Sequence, residues 1–337
     1  MKRIALIAAA LTGCTTLPAT APTGTGAVTA LRETTAVATA NADAADDPAI
    51  WADRRNPARS LIVATDKRAG LNVYGVDGRL RSSFPAGRVN NVDLREWRGR
   101  IVVAASDRND PANGKLALFT LDPVAATLTP LGVVPAGPGE AYGLCMTRRA
   151  DALYAFVVMK DGMIVQLRLG ADARSATVVR RMKLATQSEG CVVDDRNGQL
   201  FVGEENVGIW RFDAAPGGSV EPIAVARGDG IRLIPDVEGL AIAAQGRRGG
   251  YLVASSQGDN AYALWRLPDL TYAGRVRVVA GGAIDGTSET DGIDVSTATV
   301  PGFPGGLLVV QDGDNAPEAQ NFKLIAWHDV LSRVEHR

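Results

Sequence analysis

The sequence predicts an all-β fold: a six-bladed β-propeller with four antiparallel strands per blade and a ring closed by an N-terminal strand. Three observations predict it. One pattern recurs six times: a polar or acidic residue, an apolar run, a turn, a second apolar run, then a cluster of charge. Its recurrence, roughly every 45 to 55 residues, is the spacing of radial or stacked repeats. Helical periodicity is hard to find beyond the N-terminal segment.

The first runs start at Asp47-Pro-Ala-Ile-Trp51, Asp93-Leu94, Tyr142-Gly-Leu144, Glu189-Gly-Cys191, Glu238-Gly-Leu240 and Asp291-Gly-Ile293. The second runs are Leu61 to Thr65, Ile101 to Ala105, Leu153 to Met159, Leu200 to Gly203, Tyr251 to Ser255 and Leu307 to Val310. They end at Asp66-Lys67, Asp107-Arg108, Lys160-Asp161, Glu204-Glu205, Gln257 and Gln311-Asp312. A third apolar segment follows each pair, from Gly70 to Val76 in the first repeat to Asn321 to Trp327 in the last. Most are followed by a weaker fourth, such as Thr177 to Leu184. Four short strands with Gly, Pro, Asp and Asn between them describe one propeller blade. The sixth repeat has no room for a fourth strand, and Leu31 to Ala38 reads as a spare strand at the other end. Pairing the two termini explains both and removes an exposed edge.

The first residues stand apart. Met1-Lys-Arg3, the apolar run Ile4 to Leu11, and Leu11-Thr-Gly-Cys14 form a short export signal. That run is too short to span a bilayer as a stable helix. Leu-Thr-Gly-Cys resembles a bacterial lipobox, which implies cleavage before Cys14 and acylation of its sulfur, with Thr15 rather than Asp after it pointing to the outer membrane; the alternative is an ordinary secretory signal with an incidental cysteine. The expected organisation is a signal over 1–14, a flexible tether over 15–30 and a propeller over 31–332, exported and monomeric.

Composition excludes several classes. The chain has 337 residues, 46% of them hydrophobic, and a formal net charge of −1. A basic excess for nucleic-acid binding is therefore missing. Only two histidines occur, His328 and His336, both beyond the last repeat's charged corner, which removes His-rich zinc sites and Ser-His-Asp chemistry. Neither Gly-x-Ser-x-Gly nor Gly-x-x-x-x-Gly-Lys is present. Cys145 and Cys191 start adjacent repeats, and spacing leaves both a disulfide and two free thiols open.

What remains is a division of charge. In a propeller the starts of the first strands and the ends of the second strands share one face of the disc. On it, repeats one to three contribute Lys67, Arg68, Arg108 and Lys160. Repeats four to six contribute Glu189, Glu204, Glu205, Asp236, Glu238, Gln257, Asp285, Asp291 and Asp312. Clustered carboxylates repel one another, and hard divalent cations relieve that strain; calcium takes many oxygens in flexible geometry. Calcium on carboxylates, facing several bases, makes a receptor for a polyanion such as a phosphate ester. Single acids at outer hairpins (Asp77, Asp122, Asp213, Asp269) read instead as solvated turn residues.

The same residues carry a family resemblance. Asp46-Asp-Pro-Ala-Ile-Trp51, Asn90-Asn-Val-Asp93, Tyr142-Gly143, Glu189-Gly190, Asp236-Val-Glu-Gly-Leu240, Ala254-Ser-Ser-Gln-Gly-Asp-Asn260, Thr290-Asp-Gly-Ile-Asp-Val295 and Gln311-Asp-Gly313 resemble the β-propeller phytases, blade by blade from about Asp43 to about Trp327. The resemblance implies a calcium-dependent 3-phytase that hydrolyses phytate, or its calcium complex, by direct attack of a calcium-bound water. It implies Lys67, Arg108, Lys160 and Tyr142 on substrate phosphates, with Arg68 on a neighbouring one. It implies Asp46, Asp47, Asp93, Glu189, Glu204, Asp236, Glu238, Gln257 and Asp291 around the catalytic ions, Glu189 being critical for turnover. It implies Asp285, Asp312 and Asn315 on a structural calcium; Asp161 stands where the family has Glu, and the loop from Asp314 to Gln320 is short. Two other readings stay open: a non-catalytic calcium-dependent anion-binding propeller, and a propeller lactonase or esterase, against which the number of bases argues.

Overall fold

The computed structural model describes residues 22–334. The export signal, Cys14 and the start of the tether lie outside the described residues. Six sheets of antiparallel strands form a ring. Blade one is Ala45–Trp51, Leu61–Asp66, Gly70–Gly75 and Leu80–Phe84, from the axis outward. The other axial strands are Val89–Trp97, Ala141–Arg149, Ser188–Asp194, Val237–Gln245 and Ile293–Ser296.

The core is a set of apolar layers between adjacent blades. In strand Arg100–Asp107, Val102 and Ala104 enter the layer shared with blade three, while Ile101, Val103 and Ala105 enter the one shared with blade one. Period-two alternation therefore gives an unbroken apolar run, because both faces are covered. Burying each such Val or Ile is worth about 1.5–3 kcal/mol.

The ring closes as the sequence predicts: Arg32–Glu33 pairs antiparallel with Asn321–Ala326, Arg32 opposite Leu324 and Glu33 opposite Lys323. Two features differ from expectation. The tether expected up to Ala30 is interrupted, because Thr25–Val28 adds a fifth, parallel strand to blade five beside Thr271–Val278. The described residues also end in a helix, Trp327–Val334, which buries Trp327, Val330 and Val334 in the layer that holds Val276 and Val278. Those three sit at i, i+3 and i+7, one helical face. Cys145 and Cys191, left open by sequence, form a disulfide that links the axial strands of blades three and four.

One local irregularity shapes the axis. In blades one to five the axial strand carries an extra residue near its start: Ala45/Pro48, Val89/Val92, Ala141/Gly143, Ser188/Cys191 and Val237/Leu240 bracket shifts in register. Such bulges re-aim side chains and leave backbone groups unpaired. In blades one and two a hydroxyl across the ladder accepts the freed N–H, Asp47 donating to Thr65 Oγ1 and Asn91 to Ser106 Oγ, both at 2.9 Å. In blades three and four the bulge holds Gly143 and Gly190, where a Cβ would strike the Glu189 and Glu238 carbonyls of the next blade. Glycine is required there by proximity.

Candidate functional site

The bulges set a polar ring at the mouth of the axis, one residue per blade: Asp46, Asn90, Tyr142, Glu189, Glu238 and, in the unbulged sixth blade, Asp291. A second ring comes from residues just past the second strands. Lys67, Arg108, Lys160, Glu205 and Gln257 each donate a backbone N–H to the chain just before or at the start of their own axial strand, to Ala44, Arg88, Glu140, Gln187 and Asp236. Both rings contribute to the lining of a cavity of about 520 Å³ that holds seven carboxylates and a single base, Lys67, while Asp46, Asn90, Arg108 and Lys160 lie outside that lining.

One carboxylate oxygen from each of Glu189, Glu205 and Glu238 lies within 4.8 Å of the other two, and all three residues are buried. Burial, then the neighbouring Asp46 and Asp291 charges, pushes the Glu189 carboxyl well above its usual range. Glu238 is pushed up by burial and by Glu189, and Glu205 by burial and Asp236. Asp46 is raised to about 7, burial outweighing the opposing Lys67 charge. Glu205 Oε1 and Asp46 Oδ2 are buried without a hydrogen-bond partner. A packed set of strained carboxylates with orphaned oxygens fits a hard divalent cation.

The bases stand on the opposite side. Lys67 Nζ lies 3.3 Å from Asp46, 3.1 Å from Asp291 and 2.8 Å from Asp43. Burial opposes its charge, but Asp46, Asp291 and Asp43 together hold it above the ordinary lysine range. Arg108 is pinned by Glu140 at 2.5 Å and by the Asn90 carbonyl oxygen, while Asn90 donates to Glu189 Oε1 at 2.8 Å. The Tyr142 ring carries both remaining cations, with Arg108 5.2 Å and Lys160 4.7 Å from its centroid. The Glu189 charge, then burial, raises the Tyr142 phenol, so it stays protonated and able to donate. Arg68 is exposed at the rim, its Nε donating to the Asp43 carbonyl at 3.2 Å. Gln257 Nε2 donates to Asp291 Oδ1 at 2.5 Å, and Asp236 completes the lining.

Several predicted ligands lie elsewhere. Glu204 faces its own blade: Oε1 accepts from Thr186 N and Oγ1 at 2.8 and 2.7 Å, and Oε2 from the Trp210 indole at 2.7 Å. Its neighbour Glu205 takes the place expected of it. A signal existed, since Glu205 falls in the same register as Lys67, Arg108 and Lys160. Asp93 sits deeper along the axis, paired with Arg95 at 2.5 Å and accepting the Met146 N–H at 2.7 Å. Asp47 lies at that depth too, its Oδ2 accepting the Val92 N–H at 3.0 Å. The expected structural site is arranged around an amine instead. The fully buried Lys323 Nζ approaches Asp285, Asp312 at 3.1 Å, Asn315 Oδ1 at 3.2 Å and Glu33 at 2.7 Å. The oxygens expected to share a cation do so, and the cation is a lysine. Asp161 points outward to Lys183 at 2.9 Å.

Comparison with known proteins decides the family. The phytase family model matches residues 3–337. The chain belongs to the phytase family. It is 37% identical over 326 residues to the 3-phytase of Bacillus subtilis (strain 168), covering 91% of this phytase and 85% of that protein. Among solved structures, the β-propeller domain of Cps50 (Swd1) from Myceliophteria thermophila overlaps at TM-score 0.48 with 15% identity, covering 84% of this phytase and 83% of that chain. A chain of a mitotic checkpoint complex gives TM-score 0.48 and 14% identity, covering 97% and 90%.

Proposed function

We propose that this phytase releases inorganic phosphate from myo-inositol hexakisphosphate at the axial mouth, with calcium ions on Glu189, Glu205 and Glu238 and on the surrounding Asp46, Asp236, Asp291 and Gln257. The observation that carries it is the division of the mouth: three converging glutamates on one side, Lys67, Arg108, Lys160 and Tyr142 on the other. A cavity with seven carboxylates repels a polyanion unless cations accompany it. Bound calcium would supply that positive charge and a water of lowered pKa to act on phosphorus.

The chain's own groups do the rest. Arg108, held by Glu140 and Asn90, presents a guanidinium that need not reorganise as charge grows on the phosphoryl oxygens. Tyr142, kept neutral, can donate a hydrogen bond, and Lys160 over its ring adds a positive charge. Lys67 pairs with Asp46 and Asp291 in this structure, and a metal ion on those carboxylates would free its ammonium to pair with a phosphate. Lys67→Ala and Glu189→Ala should each abolish phosphate release from phytate in protein that melts like the parent. Near-parental turnover in either would move the reaction elsewhere. Anchoring through an acylated Cys14 is proposed from the Leu-Thr-Gly-Cys motif, and palmitate labelling that persists in Cys14→Ser would contradict it.

A further inference from the structure

A second cavity, of about 1050 Å³, lies away from this mouth. It opens on the opposite face of the disc, where the axial strands of blades one and two end, at Trp51 and Trp97. Six arginines line it: Arg54, Arg55, Arg59, Arg98, Arg100 and Arg148. In a chain whose charges nearly cancel, that is a concentrated basic surface.

The groove's three carboxylates are already engaged. Asp53 is ion-paired with Arg59 at 2.9 Å and accepts the Arg55 and Asn56 N–H groups. Glu96 Oε1 accepts the Trp51 indole at 3.0 Å, and Asp122 accepts the N–H groups of Val124 and Ala125. Among the described residues only Arg59 of the six has a carboxylate partner. Arg54, Arg55 and Arg100 make no side-chain hydrogen bond, and Arg98 lies over the Trp97 ring at 5.2 Å. The hairpin presenting Arg98 places it at φ 49°, followed by Gly99 at φ 75°. A two-residue turn of that kind favours Asn or Gly at the first position, so the backbone does not explain the arginine.

We propose that this groove is a second anion-binding site, for molecules bearing several phosphomonoester groups, held by guanidinium forks and independent of metal. Guanidinium matches phosphate with paired N–H donors, and the volume exceeds what one phosphate needs. The ligand's source is either a soluble inositol polyphosphate or a lipid phosphate at a membrane surface. The proposal does not depend on catalysis at the mouth, because a chelator removes metal from that site and leaves the arginines unchanged.

The test uses the full chain in chelator and measures binding of inositol hexakissulfate by calorimetry, at low and high salt. Two variants of equal net charge are compared: Arg54→Ser with Arg100→Ser in the groove, and Arg247→Ser with Arg248→Ser, exposed on another turn. The groove pair should weaken binding by about tenfold or more, as expected for the loss of one or two charge-assisted contacts, while the control pair changes it by less than about twofold. Equal losses in the two variants, or no binding by the parent, would overturn the proposal. Co-sedimentation with phosphatidylcholine vesicles, with and without phosphatidic acid, separates the sources. Capture that needs phosphatidic acid and fails in the groove variant assigns the lipid phosphate; calorimetric binding without capture assigns the soluble one.

Discussion

Glu204 and Glu205 are neighbours in the chain and serve opposite sides of it: Glu204 accepts from Thr186 and Trp210 within blade four, and Glu205 meets Glu189 of its own blade and Glu238 of blade five at the axial mouth. The two should therefore separate in a mutational test. Glu205→Gln should keep the parental melting temperature and lose about a hundredfold or more in kcat/KM at fixed calcium, at least the effect seen when groups around metal ligands are removed. Glu204→Gln places an amide against the Trp210 N–H and should cost about 1–3 kcal/mol in stability with turnover per folded molecule retained. Denaturant melts beside phosphate-release kinetics check both, and the reverse assignment would exchange the two outcomes.

Lys323 gives a second prediction. Its ammonium is fully buried among Glu33, Asp285, Asp312 and Asn315. Lys323→Met leaves those oxygens facing one another and should destabilise by about 3–5 kcal/mol in chelator. Added calcium should restore part of the loss, because the same oxygens then have a cation to share. Thermal melts with and without calcium read this directly. A variant that melts like the parent in chelator would show that the lysine is not what holds the sixth blade's loops.

Asp294 predicts a pH dependence of stability. Its oxygens accept the Ile50 and Val295 N–H groups, both at 2.7 Å, yet burial pushes its carboxyl up to about 6, with Asp93 adding to the effect. In the unfolded chain an aspartate titrates near 3.9. Between roughly pH 4 and 6 the native state binds the additional proton, so stability falls as pH rises through that window. Asp294→Asn cannot ionise. Its melting temperature relative to the parent should be higher at pH 7 than at pH 4. A difference that stays constant over that range would contradict the assignment.

The fold was legible because the second strand of every blade is buried on both faces, which writes six apolar runs into the sequence. The closing strand was legible too, since a sixth repeat lacking a strand and a spare strand near Leu31 imply each other. Thr25–Val28 escaped because it pairs in parallel with a distant strand, leaving no hairpin signal, in a stretch rich in Thr, Ala and Gly. Within the site, the charge division was visible but the orientation of individual carboxylates was not. A bulge shifts side chains by one position without altering composition. That is why Asp46 and Asp47 look interchangeable as letters; Glu204 and Glu205, at a strand end, are likewise separated only by their partners. Lys323 was missed because its apolar neighbours made Asn321 to Trp327 read as an ordinary strand.

The most direct measurement is inorganic phosphate released from phytate by the chain in millimolar calcium, then after a chelator, then with calcium restored. Release that stops with the chelator and returns with calcium is the predicted result, and Glu205→Gln should show neither phase. Release that continues undiminished in the chelator, from protein verified as folded, would contradict catalysis at the acidic mouth.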